Sequence, residues 1–541
     1  MAKQCRVNKG NSSSEKKPDK LVMDLFSPGM TAMHRAGLGG LACSLKYIER
    51  ARANLDKTMI PGEPWEENKP PWEITDRSIT LNFGKPENAA GYLKSLFKAS
   101  FQIKDGLIYM PGMFGAGGTP PTFLCELHNA LLLTFLQHGR VRTTEKIETP
   151  LSYSVDEHPG AFITVNVKKC RDYKHQNGAS EIADNLGKSP MEVIGPLNPG
   201  AIIRHMRYSM ATKIVDEADR ILPLYFSIVG CISLAMNKGV GILIIPEVHN
   251  LIDFVKTRPL MTPSMARECR VAGTSDAAMQ LQVRLFVKRA GIPACEAIMM
   301  APTSWASQQK SRVRVTRVPE GKDTILSLFE KATSLLPPTI VSHEISEGKG
   351  KNSTKRIVHF WTDSRIRPLI ADNLAAGKPW YSGFRSLVVS KDDAETIYRE
   401  NYTYSKQQPR KGVQAMMEKI TWEDPGEETV VRSVHEALRM RFGRIADECR
   451  NKPAIMENRW KGERERWRLA FVGAKTLEQF RHAITDLWSR AGTNSLLRDG
   501  WQKVLPMLSP SRWQLTRDLA LLAIASYAGK EVEESTETTN N

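Results

Sequence analysis

In the stretch VRSVHEALRMRFGRIADEC, Val431–Cys449, the residues Val431, Val434, Leu438, Phe442, Ile445 and Cys449 fall three or four apart. That spacing lines one buried face of an α-helix. Downstream, Trp460, Arg464, Trp467 and Phe471 repeat it, and so do Leu477, Phe480, Ile484 and Leu487. Thr476 precedes the last of these runs with Gln479 three positions on, the pattern of a capping box. Ser509–Pro510 then marks the start of a final helix, Trp513–Tyr527. No strand pattern intervenes, so this part of the chain reads as an all-α helical bundle.

Upstream of the polar link Tyr404–Gly412, YSKQQPRKG, the texture is different. Ala161–Lys168 alternates its apolar residues, and Gly241–Ile245 is a short apolar run stopped by Pro246. Glu247–Lys256, Ser275–Ala290 and Thr324–Leu336 read as helices, the last closed by Pro337–Pro338. Arg312–Val318 and Ile357–Trp361 read as strands. Strands spaced this unevenly do not suit a doubly wound sheet. The expected fold is an α+β N-terminal body with helical insertions over residues 21–405, followed by the C-terminal helical bundle over 406–530. Residues 1–20 read as a flexible basic leader and residues 531–541 as a disordered acidic tail.

Composition bounds the function. The 541 residues carry 76 Lys and Arg against 59 Asp and Glu, a formal charge of +17. With 41% hydrophobic and 25% charged residues the chain is no disordered polymer. Its cation excess points to a polyanionic partner, nucleic acid first. The leader has no apolar core of signal-peptide length. The longest uncharged run, Ile221–Asn237, is shorter than the roughly 20 residues that span a bilayer and contains Pro223. It reads as a buried helix, ahead of a buried strand at Val240–Ile245. The eight cysteines stand singly with no CxxC pair, so neither a zinc knuckle nor a disulfide framework is expected. These features suit a cytoplasmic protein without a membrane segment.

Catalytic signatures are missing. The sequence holds no HExxH, Walker loop, GxSxG or His–Asp doublet, and none of its eleven histidines stands three or four residues from another. Asp363 and the pair Asp372–Asn373 are isolated acids, whereas two-metal cleavage needs several carboxylates together. A binding protein is therefore expected, with no cofactor and no metal. A nuclease or transposition enzyme with a dispersed carboxylate site, and an RNA-binding scaffold without DNA recognition, stay open as alternatives.

Several stretches suit a polyanion. In Ser304–Pro319, strand alternation places Arg312, Arg314 and Thr316 on an outer face over Val313 and Val315, beside Trp305, Gln308 and Gln309. Glu347–Arg356 gathers Lys349, Lys351, Lys355 and Arg356 in a hairpin-like loop. Arg171–Gly178 combines Lys174, which can hold a backbone, with Gln176 and Asn177, which can read base edges. The Gly-rich stretch Gly112–Pro121, with Gly112, Gly115, Gly117 and Gly118, allows close approach to a phosphate backbone but lacks the Lys and Ser/Thr of a nucleotide loop. In the bundle, Arg459, Lys461, Arg466 and Arg468 alternate with acids, Trp460 and Trp467, and are candidates for backbone contact.

One further segment carries family information. DLFSPGMTAMHRAGLGGL, Asp24–Leu41, resembles the opening of the large-subunit family of the type I CRISPR Cascade complex, in its myxan-like branch. The matching positions are Pro28, Gly29, Met30, His34, Arg35, Ala36, Gly37, Leu38, Gly39, Gly40 and Leu41. Its small residues suit a helix packed close to a neighbouring backbone, a structural role. The resemblance implies an α+β domain beside the 5′ end of the guide RNA (crRNA) that senses the motif flanking the target. It also implies a helical bundle near the displaced strand. Partners would be the guide, the Cascade backbone subunits, double-stranded target DNA with its displaced single strand, and a helicase-nuclease or, in transposon-associated relatives, a transposition adaptor. Pairing by the guide would then read sequence, and this chain only the flank and the backbone shape.

Overall fold

The computed structural model describes residues 18–115, 121–137, 142–146, 151–155, 158–165, 167–188, 190–200, 214–236, 239–264, 266–303, 306–347, 354–400, 412–422, 424–450 and 452–527. The expected leader up to residue 17, most of the link at 404–412, the acidic tail, Trp305, Gly117, Gly118, Lys349 and Lys351 lie outside them.

The chain divides into two compact units, Met1–Gly321 with Ile340–Trp361, and Lys322–Thr339 with Thr362–Asn541. The first begins with strand β1 (Lys20–Asp24) and helix α1 (Ala32–Ala51). Thr31 caps α1: its hydroxyl faces the His34 backbone N–H at 3.4 Å, and its own N–H donates to His34 Nδ1 at 3.3 Å. Next come β2 (Trp72–Ile74), β3 (Ser78–Asn82), α2 (Ala89–Ser100), and the hairpin β4 (Gln102–Lys104) and β5 (Leu107–Tyr109). The first three strands pair antiparallel in the order β1-β3-β2. After α3 (Pro121–Leu133), β6 (Arg142–Lys146) pairs with β9 (Lys168–Cys170), and β7 (Leu151–Val155) with β8 (His158–Val165). Helix α4 (Gly178–Asn185), the short strands β10 (Met191–Glu192) and β11 (Val215–Asp216), and α5 (Ala218–Gly230) follow.

The central sheet is antiparallel in the order β12 (Ile232–Met236), β13 (Val240–Pro246), β14 (Cys295–Thr303), β15 (Ala306–Val318). Helix α3 packs on β12 and β13, and α7 (Thr274–Val287) on β13, β14 and β15. Between β13 and β14 also lies α6 (Leu251–Met261). It starts later than the expected Glu247 because Asn250 caps it, accepting from the Asp253 N–H at 3.0 Å. The uncharged run is helix only to Gly230; its last third is β12, so two strands and not one follow α5.

The close approach of α1 to α5 organises this unit. A Cβ on Gly37 would lie 2.0 Å from the Pro223 carbonyl oxygen, and one on Gly40 2.2 Å from that of Phe226. Conversely, a Cβ on Gly230 would lie 1.8 Å from the Ala36 carbonyl oxygen. Backbones this close admit only glycine.

The second unit takes in α8 (Asp323–Leu335), leaves the chain for the hairpin of β16 (Thr339–Glu347) and β17 (Thr354–Thr362), and resumes with α9 (Arg367–Ala375). It continues through α10 (Lys391–Glu400), α11 (Gly412–Lys419), α12 (Pro425–Glu448), α13 (Pro453–Gly473), α14 (Leu477–Ala491), α15 (Ser495–Val504) and α16 (Trp513–Ser526). Helix α12 packs on α14, α15 and α16, and α8 on α9 and α11. The capping box at Thr476 is present, with the Gln479 N–H donating to the Thr476 hydroxyl at 3.2 Å. This unit therefore begins well before residue 406, where the composition placed the boundary. Residues 383–389 are tied into the bundle by buried polar contacts: the Asp518 carboxylate accepts from the Gly383 and Arg385 N–H groups at 2.7 and 2.9 Å.

Burial lowers the pKa of imidazoles in both units and makes stability depend on pH. His175 is enclosed by Phe101, Phe135, Tyr173 and Tyr225, and neither of its ring nitrogens has a hydrogen-bond partner. Burial pushes it down to about 3. In the second unit burial pushes His435 down to about 4, although its Nε2 hydrogen-bonds to the Ala523 carbonyl at 3.0 Å. Both stay neutral when folded, so the unfolded chain takes up protons first as pH falls below about 6.5. Each group is expected to cost roughly 1.4 kcal/mol of stability per pH unit below that point, about 2 kcal/mol by pH 5, with the loss levelling off below its folded value. Denaturant titrations at pH 7 and pH 5 should show this fall, and His175→Leu should reduce it for the first unit, where the lowered His34 keeps part of it. Equal midpoints at the two pH values would contradict the burial of these rings.

Candidate nucleic-acid interface

The basic strand is β15, the edge of the central sheet. Its register shifts opposite Met299 and Met300, so that Met299 faces Arg314 while Met300 faces Arg312. A bulge inserts one residue and reverses the side on which all later side chains lie. Arg312 consequently does not share a face with Arg314 and Thr316, and the expected basic outer face is corrected. Arg312 turns into the body, donating through Nε to the Pro199 carbonyl at 3.0 Å and through Nη2 to Asn198 Oδ1 at 2.7 Å. Burial holds its guanidinium below the usual arginine value. Thr316 bonds Thr274 at 2.7 Å, while Val313 and Val315, expected inside, are 43% and 53% exposed. Arg314 is exposed, as is Arg317, which pairs with Glu247 at 2.6 Å. Gln308 and Gln309 lie in β15, with side chains outside the described set.

Strands β16 and β17 pair as a two-stranded sheet, and residues 348–353 of the expected basic loop between them lie outside the described residues. Lys355 and Arg356 stand at the start of β17, their side chains undescribed.

The segment 171–178 is a packed 3-10 turn, Lys174–Asn177, with Tyr173 and His175 buried. Gln176 is engaged in folding: its Oε1 accepts from the Tyr173 N–H at 3.1 Å, and its Nε2 donates to the Phe101 carbonyl at 3.2 Å. The expectation that Gln176 reads a base edge is corrected. Lys174 pairs with Glu181 at 3.1 Å, and Asn177 is exposed. Gln176→Ala is expected to cost about 1–3 kcal/mol, because two backbone groups lose their partner. Binding of nucleic acid should be unchanged after correction for the unfolded fraction; a selective loss of affinity would restore the base-reading role.

Gly112 is buried beneath α1, where a Cβ would meet the Ser44 backbone at 3.0 Å. This glycine is therefore part of the packing and is not a phosphate cradle. Gly115 is exposed.

In the bundle, Arg459 pairs with Glu448 at 2.6 Å and Lys461 with Glu457 at 2.9 Å, both at the surface. Arg466 lies over the Trp467 ring at 5.0 Å and 3.9 Å from Asp486. Arg468 is 2% exposed, donating to Glu465 and to the Val388 and Val389 carbonyls at 2.5 and 2.9 Å. It holds a chain crossing, and its place among phosphate contacts is corrected.

The family-like segment is split by its surroundings. Gly37, Gly39 and Gly40 are buried in α1, whereas Phe26, Ser27, Pro28 and Gly29 are exposed. Gly29 has φ +90° and packs on the Arg220 side chain. His34 Nε2 lies 3.6 Å from Asp216, yet burial outweighs this charge and lowers its pKa. Arg35 donates to the Met30 carbonyl at 3.1 Å. All of these contacts are internal to the first unit.

Among the described residues no three His, Cys, Asp or Glu side chains converge as a metal would require, and no helix is long and apolar enough to cross a membrane. Asn373 donates to the Trp380 and Ser382 carbonyls at 3.0 and 2.7 Å, a turn-forming role.

One cationic, aromatic face went unread in the sequence. It combines Lys46, Tyr47 and Arg50 of α1 with Gln102, Lys104 and Tyr109 of the β4–β5 hairpin. The available signal was Asp105–Gly106 between two apolar runs, a strong hairpin marker, and both residues have positive φ, 53° and 81°.

Comparison with known proteins divides as the structure does. Residues 22–225 match the DevT N-terminal domain and residues 418–541 the DevT C-terminal domain. The first range falls in the first unit and the second in the second unit. Over 531 residues, 95% of this chain and 89% of the relative, the sequence is 36% identical to the CRISPR-associated protein Cas8a1/Csx13 of Myxococcus xanthus (strain DK1622).

Proposed function

The chain belongs to the Cas8a1/Csx13 family of CRISPR-associated proteins, the large subunits of type I systems, and from that premise we propose that it is the non-catalytic DNA-sensing subunit of an RNA-guided Cascade complex. In this reading it works in the cytoplasm with a guide RNA and the backbone subunits. It senses the motif flanking the target, helps to open the duplex and contacts the displaced strand. It then supports recruitment of a helicase-nuclease or a transposition adaptor.

The observation that carries the reading is the end-to-end likeness to a Cas8-type protein, spanning both units. The formal charge of +17 agrees with it, since affinity for DNA comes chiefly from neutralised phosphates. Of the sequence candidates, Arg314, Lys349, Lys351, Lys355, Arg356, Arg459, Lys461 and Arg466 keep their proposed role as backbone contacts. Such contacts set affinity and register and leave sequence to the guide.

The test is a selection. The complex, purified with its guide RNA, is presented with target duplexes whose flanking positions are randomised. Enrichment of a short flanking motif is expected. A flat distribution with tight guide binding would make the chain an RNA scaffold. Cleavage of DNA by the purified chain with Mg²⁺ or Mn²⁺ would make it an enzyme.

A further inference from the structure

We infer that the face built by Tyr47, Arg50, Lys104 and Tyr109 takes an unpaired stretch of nucleic acid, its bases stacking on the phenol rings and its phosphates meeting the two cations. This deepens, and rests on, the reading of the chain as a nucleic-acid-contacting Cas8-type subunit.

Two elements assemble the face. On α1, Tyr47 and Arg50 are three residues apart and so lie on one side of the helix. In the hairpin, Gln102 stands directly opposite Tyr109, and Lys104 is two residues further on the same strand. Alternation therefore puts Gln102, Lys104 and Tyr109 on one side of the ribbon. Helix and hairpin meet where the turn Pro111–Met113, directly after β5, packs on α1: a Cβ on Gly112, three residues after Tyr109, would lie 3.0 Å from the backbone of Ser44, three residues before Tyr47. Gln102 is itself fixed, its Nε2 donating to the Ala99 carbonyl at 2.8 Å.

The rings are pre-positioned. Phe114, almost wholly buried, lies nearly parallel to Tyr109, with centroids 5.8 Å apart and 15° between planes. It supports one face of the ring. The Lys104 ammonium lies 5.9 Å from the Tyr109 centroid. Both tyrosines are half-buried. A fixed aromatic with two torsions loses little freedom when a base stacks on it.

The charge favours a polyanion. Lys104 and Arg50 have no carboxylate partner among the described residues; Arg50 donates only to the Lys46 carbonyl, at 3.3 Å. Lys46 is neutralised by Glu49 at 2.7 Å. None of the large exposed apolar side chains of the chain belongs to α1, β4 or β5, which speaks against a protein-docking patch. A double helix keeps its bases stacked inside, so aromatic rings that stack on bases serve a single strand.

The test uses the full chain, titrated at low salt with fluorescein-labelled 15-nucleotide oligo-U and oligo-dT. Tyr47→Leu with Tyr109→Leu is expected to weaken binding about 10-fold or more, and Tyr47→Phe with Tyr109→Phe to preserve it. Arg50→Glu with Lys104→Glu should weaken it and lower the salt slope by about 1 to 2. Photocrosslinking of wild-type chain to the same strands carrying 5-iodouracil should mark Tyr47 or Tyr109, and the stronger of the two arms identifies RNA or displaced DNA. The inference is overturned if the Leu variant, folded by its melting curve, binds like wild type, or if no crosslink falls on either ring. It is also overturned if the Leu variant loses only its place among the other subunits. Should strand binding be absent while the assembled complex still shifts target duplex, this inference fails and the proposed function stands. Absence of both defeats the two together.

Discussion

Gly230→Val is expected to leave the first unit unable to fold. The reason is the crossing of α1 and α5, where a Cβ on Gly230 would sit 1.8 Å from the Ala36 carbonyl oxygen and 2.6 Å from its carbon. Both are backbone atoms of a helix whose Leu38, Leu41, Leu45 and Ile48 are wholly buried, so no side chain can swing away. Relief requires the helices to part by more than an ångström, opening gaps along a close-packed seam. Overpacking in cores costs about 1–3 kcal/mol when side chains can adjust, and more is expected here, a large share of the 5–15 kcal/mol that typical domains possess. Gly40→Val should behave alike, since its Cβ would lie 2.2 Å from the Phe226 oxygen. Gly443→Ala and Gly462→Ala are the controls. Nothing lies within 4 Å of a Cβ at either position, and both sit inside helices, so each should stabilise by up to about 1 kcal/mol. Circular dichroism melts read all four; a Gly230→Val melt within a few degrees of wild type would contradict the crossing.

Asp518→Ala should strongly destabilise the second unit. Its carboxylate accepts from two backbone N–H groups, Gly383 and Arg385, at a site from which water is nearly excluded. Burial raises its pKa, while these two donors, together with Arg517 and Arg385, pull it back toward the charged form. Removal strands two donors and leaves Arg517 short of its counter-charge, at a cost of about 3–5 kcal/mol. Residues 383–389 are also held by Arg468 and by Arg385, whose Nε donates to the Val472 carbonyl at 2.9 Å. The variant is therefore expected to expose this segment to limited proteolysis at protein concentrations where wild type resists. Arg468→Met should do so by the opposite route, freeing the Val388 and Val389 carbonyls. A proteolysis pattern unchanged in both variants would show that the segment is held by other means.

How much of this was legible in the sequence follows the range of the interactions involved. Helices α12, α13 and α14 declared themselves through residues three and four apart, α16 through the start signal Ser509–Pro510, and the Thr476–Gln479 box through a three-residue interval. Such signals are local. The limits of the second unit were not, because Asp518 finds its donors at Gly383 and Arg385, more than 130 residues away, with the polar link in between. Helix α15 was passed over although Asn494 caps it, accepting from the Leu497 N–H at 3.0 Å; Gly500 within it and three exposed positions in a row at Trp501–Lys503 blur its apolar face.

The site candidates show the same division. Counting alternate residues along β15 gave a single basic face, and one bulge undid it, since period-two reasoning assumes an unbroken ladder. Gln176 and Arg468 carry the right chemistry for nucleic acid, but the protein's own backbone claims them first. Composition cannot tell a polar group aimed at a ligand from one that satisfies the fold. The Tyr47–Tyr109 face escaped for a related reason: 62 residues separate its rings, and only the packing of α1 on the turn Pro111–Met113 after β5 brings their segments together.

Target binding with and without this chain tests the central claim most directly. The guide-loaded complex is assembled both ways and titrated with double-stranded target of fixed flank at moderate salt. Affinity is expected to fall at least 10-fold when the chain is left out and to return when it is added back. Equal affinity for duplex in both preparations would contradict a role for this subunit in gripping target DNA.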